Sequence, residues 1–266
     1  MKTHASPRAL GKPGAPHTTA KPSGACLGRV AALGPAPMRV ALAILALPAL
    51  LAAAGAPRSR PAASPYPRMA PLREYLMPRP AEIALARSAA PPSISAAATV
   101  MVLTPRGYRT AAPGRNGFVC IVERSWDANL NAAKFWNPKI RGPVCYNPPA
   151  AKTLLPLILM RARLLLAGDS KPAMARAVTA ALAAKQLPPL APNAMCFMLS
   201  PRQFLGDRAR RWHPHLMLFV PGRAGHFWAA NRPGSPVLAS FDPLDRLTVV
   251  IIPVSRWSNG APAPPL

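Results

Sequence analysis

The sequence predicts a single α+β domain: a mixed or mostly antiparallel sheet, a few short helices and long proline-rich loops. Three observations predict it. Strand-like runs outnumber helical ones, the last three strand candidates are joined by loops without a long helix, and 37 of the 266 residues are proline. Parallel βαβ repeats need a crossover helix between strands, so the loops favour antiparallel pairing. Proline removes an amide donor and fixes φ, which shortens helices and keeps connections irregular. Half of the residues are hydrophobic, enough for a sizeable core.

The domain is expected over residues 71–260. Before it, residues 1–37 are basic, proline-rich and free of acids, and read as a non-native or disordered extension. "MRVALAILALPALLAAAGAPRS" from Met38 has the layout of a secretory signal peptide over 38–56. Arg39 is the positive start, Val40–Leu51 the apolar run, and Ala52–Ala56 the small residues for cleavage. The run is short for a membrane span and contains Pro48. A retained anchor and an organellar transit peptide stay open as alternatives, as does initiation at Met1 or Met38. Residues 57–70 read as a proline- and arginine-rich linker and 261–266 as a disordered tail.

Within the domain, Glu82–Ala90 is expected as a short helix, with Pro78 and Pro80 interrupting what precedes it. "ATVMVL" reads as a strand, "TPRG" as a turn, and "YRTAAPGRNG" as a strand end and loop. In "GFVCIVERSW", alternation puts Phe118, Cys120 and Val122 on one face and Val119, Ile121 and Glu123 on the other. "TLLPLILMRARLLLAG" is apolar, but Pro156, Arg161 and Arg163 exclude a span. "SKPAMARAVTAALAAKQLPP" is the clearest helix: Ser170 caps it, proline sits in its first turn, and Met174, Val178, Ala181 and Leu182 form its buried stripe. "NAMCFMLS" is a strand, "PRQFLGDRARR" one or two helical turns, and "PVLASF" and "RLTVVIIPVSRW" the last two strands.

The formal charge is +25, and all eight acids follow residue 73. Arginine greatly outnumbers lysine, and alanine and proline abound, as codon usage in a GC-rich genome produces by itself. The basic residues are scattered, the tightest group being Arg208, Arg210 and Arg211, which argues against a nucleic-acid footprint. The expected partners are a small molecule or an anionic envelope polymer. No stable membrane span is expected after signal cleavage.

Cys120 and Cys145 each centre a β-branched, aromatic run, so neighbouring strands and a disulfide are expected in an oxidising compartment. Such a bridge would stabilise by about 3 kcal/mol in the chain-entropy description. Cys196 would then be a buried free thiol, a core hydrophobe before it is a nucleophile.

The residues that point to chemistry centre on "RWHPHLMLFVP". His213 and His215 would share one strand face with Met217 and Phe219, while Pro214, Leu216, Leu218 and Val220 bury on the other. That stripe suits a pocket with a wet mouth and a dry floor. The histidines admit a metal, zinc with His226 as the remaining histidine and Glu123, Asp127 and Asp207 as the nearest-looking carboxylates, or acid–base work oriented by Glu123 or Asp207, or capping and packing roles. Catalytic candidates are His213, His215 and Glu123; no cofactor is required by the sequence. Trp126, Trp136, Trp212 and Trp257 lie near strand ends, and Trp212, Trp126 and Trp136 are the candidates for a ligand platform, against the alternative that they close the core. Phosphate-loop, nucleophile-elbow, H-E-x-x-H and C-x-x-C motifs are absent.

"REYLMPRPAEIALARSAAPPSIS", "NGFVCIVERSW", "FWNPKIRGPVCYNPPA" and "WHPHLMLFVP" together resemble an uncharacterised family of exported bacterial proteins over about residues 71–260. The resemblance implies export, to the periplasm or beyond, and no particular chemistry. The functional expectation is an exported ligand-binding or structural domain. The alternative is a small metal- or histidine-dependent hydrolase using His213 and His215.

Overall fold

The structure, a computed structural model, describes residues 64–265. The extension over 1–37, the signal peptide over 38–56 and residues 57–63 of the expected linker lie outside the described residues. The described chain is an α+β unit whose centre is one eight-stranded mixed sheet. Its strands are β1 (Thr99–Thr104), β2 (Gly107–Ala112), β3 (Val119–Glu123), β4 (Gly142–Tyr146), β5 (Met195–Met198), β6 (His215–Pro221), β7 (Leu238–Asp242) and β8 (Leu247–Pro253). They lie in the order β2-β1-β3-β4-β5-β6-β8-β7. All neighbours are antiparallel except the short β1–β3 pair.

Glycine makes that parallel pair reachable. Gly107, at φ +102°, closes the tight β1–β2 turn. Gly114 lies so close to the start of β1 that a Cβ there would overlap Thr99 N and Ala98 C. The chain therefore crosses directly from β2 to β3, which docks beside β1 at Thr99↔Val119 and Val100↔Cys120.

Helices cover the two faces unequally. On one face lies α1 (Arg79–Arg87), followed by the single turn α2 (Pro92–Ser95). Leu85, Ala86, Ala89 and Ala90 pack there on Val100, Cys120, Val122 and Cys145. On the other face lie α3 (Pro148–Thr153), α4 (Leu155–Leu166) and α5 (Lys171–Ala183), packed on Ile121, Val144, Tyr146, Cys196 and Phe219. The two-faced alternation expected of β3 is thus present. Cys120 and Cys145 are directly opposite on β3 and β4, with their sulfurs at disulfide distance, and Cys196 is a buried free cysteine.

Several local expectations need correction. Pro78 and Pro80 do not interrupt a helix: Pro78 is the N-cap of α1 and Pro80 lies in its first turn, where the missing amide donor costs nothing. The helix consequently runs earlier than expected. "YRTAA" belongs to a full strand, β2, paired with β1 along its length. "PRQFLGDRARR" forms turns rather than helix. Gln203 Nε2 ties that stretch to Arg211 O at 2.6 Å, and Phe204 exchanges backbone hydrogen bonds with Arg141. From residue 64 onward the expected linker is packed: Tyr66, Met69 and Ala70 lie against the core. The expected tail is held at Ala263, whose N–H donates to Ser255 O at 2.8 Å. For α5 the cap is as read: Ser170 Oγ accepts from Ala173 N at 3.3 Å, with Met174, Val178 and Ala181 buried and Leu182 partly so.

Two buried arginines join these layers. Arg124, at the end of β3, donates Nη2 to Glu82 Oε1 at 2.8 Å and Nε to Tyr75 O at 2.8 Å, and also bonds Val122 O. The same Glu82 oxygen accepts from Leu103 N at 3.1 Å. Both side chains are fully buried. Arg161 of α4, also fully buried, donates Nη2 to Trp126 O and Ala128 O and Nη1 to Asp245 Oδ2 at 3.0 Å. Removing one partner of a buried ion pair strands the other charge, which typically costs 3–5 kcal/mol. Glu82→Ala is therefore expected to destabilise the protein by about 3–5 kcal/mol in chemical denaturation; a loss under about 1 kcal/mol, the exposed-pair scale, would contradict the structural role of the pair.

Candidate functional site

The floor of the site follows from strand alternation. On the face carrying α4, β6 presents His215, Met217 and Phe219, and β8 presents Leu247, Val249 and Ile251. Glu123 of β3, Tyr146 of β4 and Met198 of β5 extend this surface. Leu154 and Ile158 from the helical side, residues 124–140 after β3, and Trp212 complete a cavity of about 410 Å3. That volume lies toward the low end of roughly 300–1,000 Å3 typical of small-molecule sites.

The polar wall is built by two turns. After β3, Ser125–Asp127 forms a 3-10 turn held by Arg124 on one side and by Arg161 on the other. Asp127 Oδ2 accepts from Arg124 N at 2.9 Å, leaving Oδ1 without a partner among the described residues. Ser125 is 1% exposed and its Oγ also lacks a partner among them. In the β7–β8 turn, Asp242 Oδ1 accepts from Leu244 N and Asp245 N. This brings Asp245 onto Arg161, again with one oxygen, Oδ1, unpartnered among the described residues. Buried polar groups are normally satisfied, so three unmet acceptors on one wall mark a place for a ligand.

The electrostatics reflect crowding in a dry space. Desolvation raises the Glu123 carboxyl to about 8, with Asp127 adding to the rise, despite its hydrogen bond from Tyr146 and the charges of Arg161 and Lys134. Asp127 rises to about 6, chiefly by burial, with Arg161 opposing. Asp245 also rises to about 6 by burial, again opposed by Arg161. Burial lowers the Lys134 ammonium, whose Nζ donates to Leu205 O at 2.9 Å. The Tyr146 phenol is pushed well up by burial and then by Glu123.

The expected histidine pair is divided. His215 begins β6, is 3% exposed and lines the cavity; His213 precedes the strand, is half-buried and does not. The shared-face argument requires both residues to be in strand, but Trp212, at φ +49°, and Pro214 put a bend there. His215 Nδ1 bonds His213 O at 2.8 Å, which fixes Nδ1 as the protonated nitrogen and leaves Nε2 as an acceptor. Burial lowers the ring to about 4, so it is neutral at physiological pH. Trp212 packs edge-on against it, with centroids 4.7 Å apart. His226 is exposed on a 3-10 helix, Gly225–Trp228, and does not line the cavity. Among the described residues no three His, Cys, Asp or Glu side chains group as a metal site requires.

Of the tryptophans, Trp212 lines the cavity, whereas Trp126 and Trp136 are core residues packed on Tyr75 and Phe135. Trp257 is also buried. Asp207 is exposed and takes hydrogen bonds from Tyr66 and Asn137 outside the cavity. Cys196 lies on the same sheet face, opposite Tyr146 and Met217, but is buried and does not line the cavity; desolvation holds its thiol well above the usual range, so it is a poor nucleophile. Of the stripe Pro214, Leu216, Leu218 and Val220, Pro214 is buried and the other three are only half-buried, because α1 packs over β1, β3 and β4 and stops short of β6. Sequence reasoning missed Ser125, Asp242, Asp245 and Lys134. One signal was available: acids are so scarce that each invites the question of where it points.

These shifts set a pH dependence. Glu123, Asp127 and Asp245 bind protons more tightly folded than unfolded, so they favour folding at low pH and lose that contribution as pH rises toward their folded values. His215 acts oppositely, and its contribution is complete above its ordinary value of 6.5. From pH 6.5 to about 8 the Glu123 contribution dominates. The melting temperature is expected to fall across that window in the wild type and to stay flatter in Glu123→Gln. A wild-type profile as flat as the variant's would contradict the assignment.

Comparison with protein-family models, with curated proteins and with solved structures finds no match to this chain.

Proposed function

We propose that this chain is an exported bacterial domain that binds a small organic cation with an apolar body in the cavity under α4. One observation carries the reading: four of the eight acids in a chain of net charge +25, Glu123, Asp127, Asp242 and Asp245, line this single cavity. Chance placement would scatter them over a basic surface. The unmet acceptors Ser125 Oγ, Asp127 Oδ1 and Asp245 Oδ1 suit the N–H donors of an ammonium or amidinium group. Met217, Phe219, Val249 and Ile251 suit the hydrocarbon part. Protons on Glu123 stand in for the cation when the cavity is empty, and a ligand would displace them. Export rests on the signal-peptide layout from Met38 and on the resemblance, and Cys120 and Cys145 at disulfide distance fit an oxidising compartment.

A histidine-dependent hydrolase draws less support. His215 is oriented by a carbonyl rather than a carboxylate, and Glu123 is engaged by Tyr146. Among the described residues, no serine, threonine or cysteine hydroxyl or thiol is hydrogen-bonded to His215.

The test is calorimetry with benzylamine and n-hexylamine beside their neutral and anionic counterparts, benzyl alcohol, 1-hexanol and hexanoate. The amines are expected to bind, with proton release that varies with buffer ionisation enthalpy. The alcohols should bind more weakly and hexanoate least. Asp127→Asn and Asp245→Asn should each weaken the amines by about tenfold or more, the scale of one charge-assisted hydrogen bond. Hexanoate binding best, or amine affinity unchanged in both variants, would overturn the reading.

A further inference from the structure

The connection from β6 to β7, residues 222–237, does not serve the cavity and has its own unusual composition. Among the described residues, the exposed large hydrophobic side chains are Phe227, 79% exposed, Trp228, 37%, and Leu238, 36%. All three fall on this connection or on the first residue of the strand that follows. No acid occurs between Gly222 and Phe241. Arg223 and Arg232 lie within the connection and are exposed. Arg246 is exposed beside it, its carbonyl accepting from Gly222 N at 2.9 Å.

The connection is clamped rather than loosely draped. Thr248 Oγ1 donates to Gly222 O at 2.6 Å and accepts from Ala224 N at 2.9 Å, tying the departing chain to β8. The Asn231 side chain donates to Ala239 O and accepts from Ala239 N, at 2.7 and 3.1 Å, imitating a strand partner for β7. Between the clamps the Gly225–Trp228 turn holds Phe227 and Trp228 outward, with the His226 ring against Phe227 at 3.8 Å between centroids. Arg223 stacks on Phe241 at 4.1 Å, which keeps its guanidinium on this side of the sheet edge.

We propose that this β6–β7 connection docks the domain on an anionic lipid surface, with Phe227 and Trp228 entering the headgroup boundary and Arg223, Arg232 and Arg246 pairing with lipid phosphates. Aromatic side chains with arginine beside them favour that boundary, where one end is apolar and the other wet. A polybasic margin without acids supplies the charge complementarity. Three apolar side chains are few for a stable protein interface, which buries about 800 Å2 on each partner, but suffice for shallow insertion reinforced by charge. The docking is independent of what occupies the cavity.

The experiment uses the full chain with vesicles of phosphatidylcholine alone and of phosphatidylcholine mixed equally with phosphatidylglycerol, each also prepared with brominated acyl chains. Emission of the wild type should be quenched by brominated phosphatidylglycerol vesicles, and Trp228→Phe should lack that quenched component. The difference between the two chains isolates the connection from any other segment that touches lipid. Arg223→Gln/Arg232→Gln/Arg246→Gln should reduce the Trp228 component about tenfold at equal lipid, with an unchanged circular dichroism spectrum showing that the fold persists. Equal quenching in wild type and Trp228→Phe overturns the proposal, as does Trp228 quenching that is the same in both lipid compositions. Capture of a protein by the connection with no Trp228 quenching would assign the patch to a protein partner and also overturn it.

Discussion

The Arg124–Glu82 pair is the constraint on which the rest of the structure depends. Its two buried charges must be paired and hydrogen-bonded to be tolerated. Meeting that demand fixes helix α1 against β1 through Leu103 N, holds the chain at Tyr75, and sets the angle at which the backbone leaves β3. Leaving at that angle, residues 125–127 turn over the sheet toward α4. There Arg161 takes the carbonyls of Trp126 and Ala128 and reaches across to Asp245. One arginine thus positions the turn from below and the other from above. The acceptors that neither arginine uses belong to residues that line the cavity.

A chain of charge +25 should hold its carboxylates ionised, since the surrounding positive potential favours the charged form. In the cavity all three carboxyls bind protons more tightly than that potential favours, and Glu123 is held protonated at neutral pH. Desolvation is the largest influence on Glu123, Asp127 and Asp245, and the neighbouring cations reduce the rise without cancelling it. The basic residues outside the cavity do a different job: exposed Arg223, Arg232 and Arg246 give the β6–β7 connection a positive margin.

Much of the fold was legible because its signals are local. Alternation in "GFVCIVE" placed Cys120 and Ile121 on opposite faces, matching contexts paired Cys120 with Cys145, and Ser170 marked the start of α5. The strand argument also found the dry floor, His215, Met217 and Phe219. It failed just before His215, at the positive-φ Trp212 and at Pro214, where the chain is not yet a strand and His213 loses its place. Pro78 and Pro80 were misread because proline both ends and begins helices, and only tertiary packing distinguishes the two uses. Glu123 and Asp127 were singled out, but their meeting with Asp242 and Asp245 in one wall was invisible for a deeper reason. Asp127 and Asp245 lie far apart in sequence on turns joined through Arg161, a side chain whose local setting reads as an ordinary apolar helix. Tryptophans near strand ends suggested a platform, but Trp126 and Trp136 are buried in the core against Tyr75 and Phe135, while exposed Trp228 went unnoticed.

The central claim is that the cavity is dry enough to hold a carboxyl protonated at neutral pH in a strongly basic protein. The most direct measurement is a carbon-13 titration of the glutamate side-chain carboxyls, with Glu123 assigned by its loss in Glu123→Gln. The account predicts that the Glu123 resonance inflects near pH 8. An inflection for Glu123 in the ordinary carboxylate range, near 4.5, would mean that water fills the site freely, and would contradict the account.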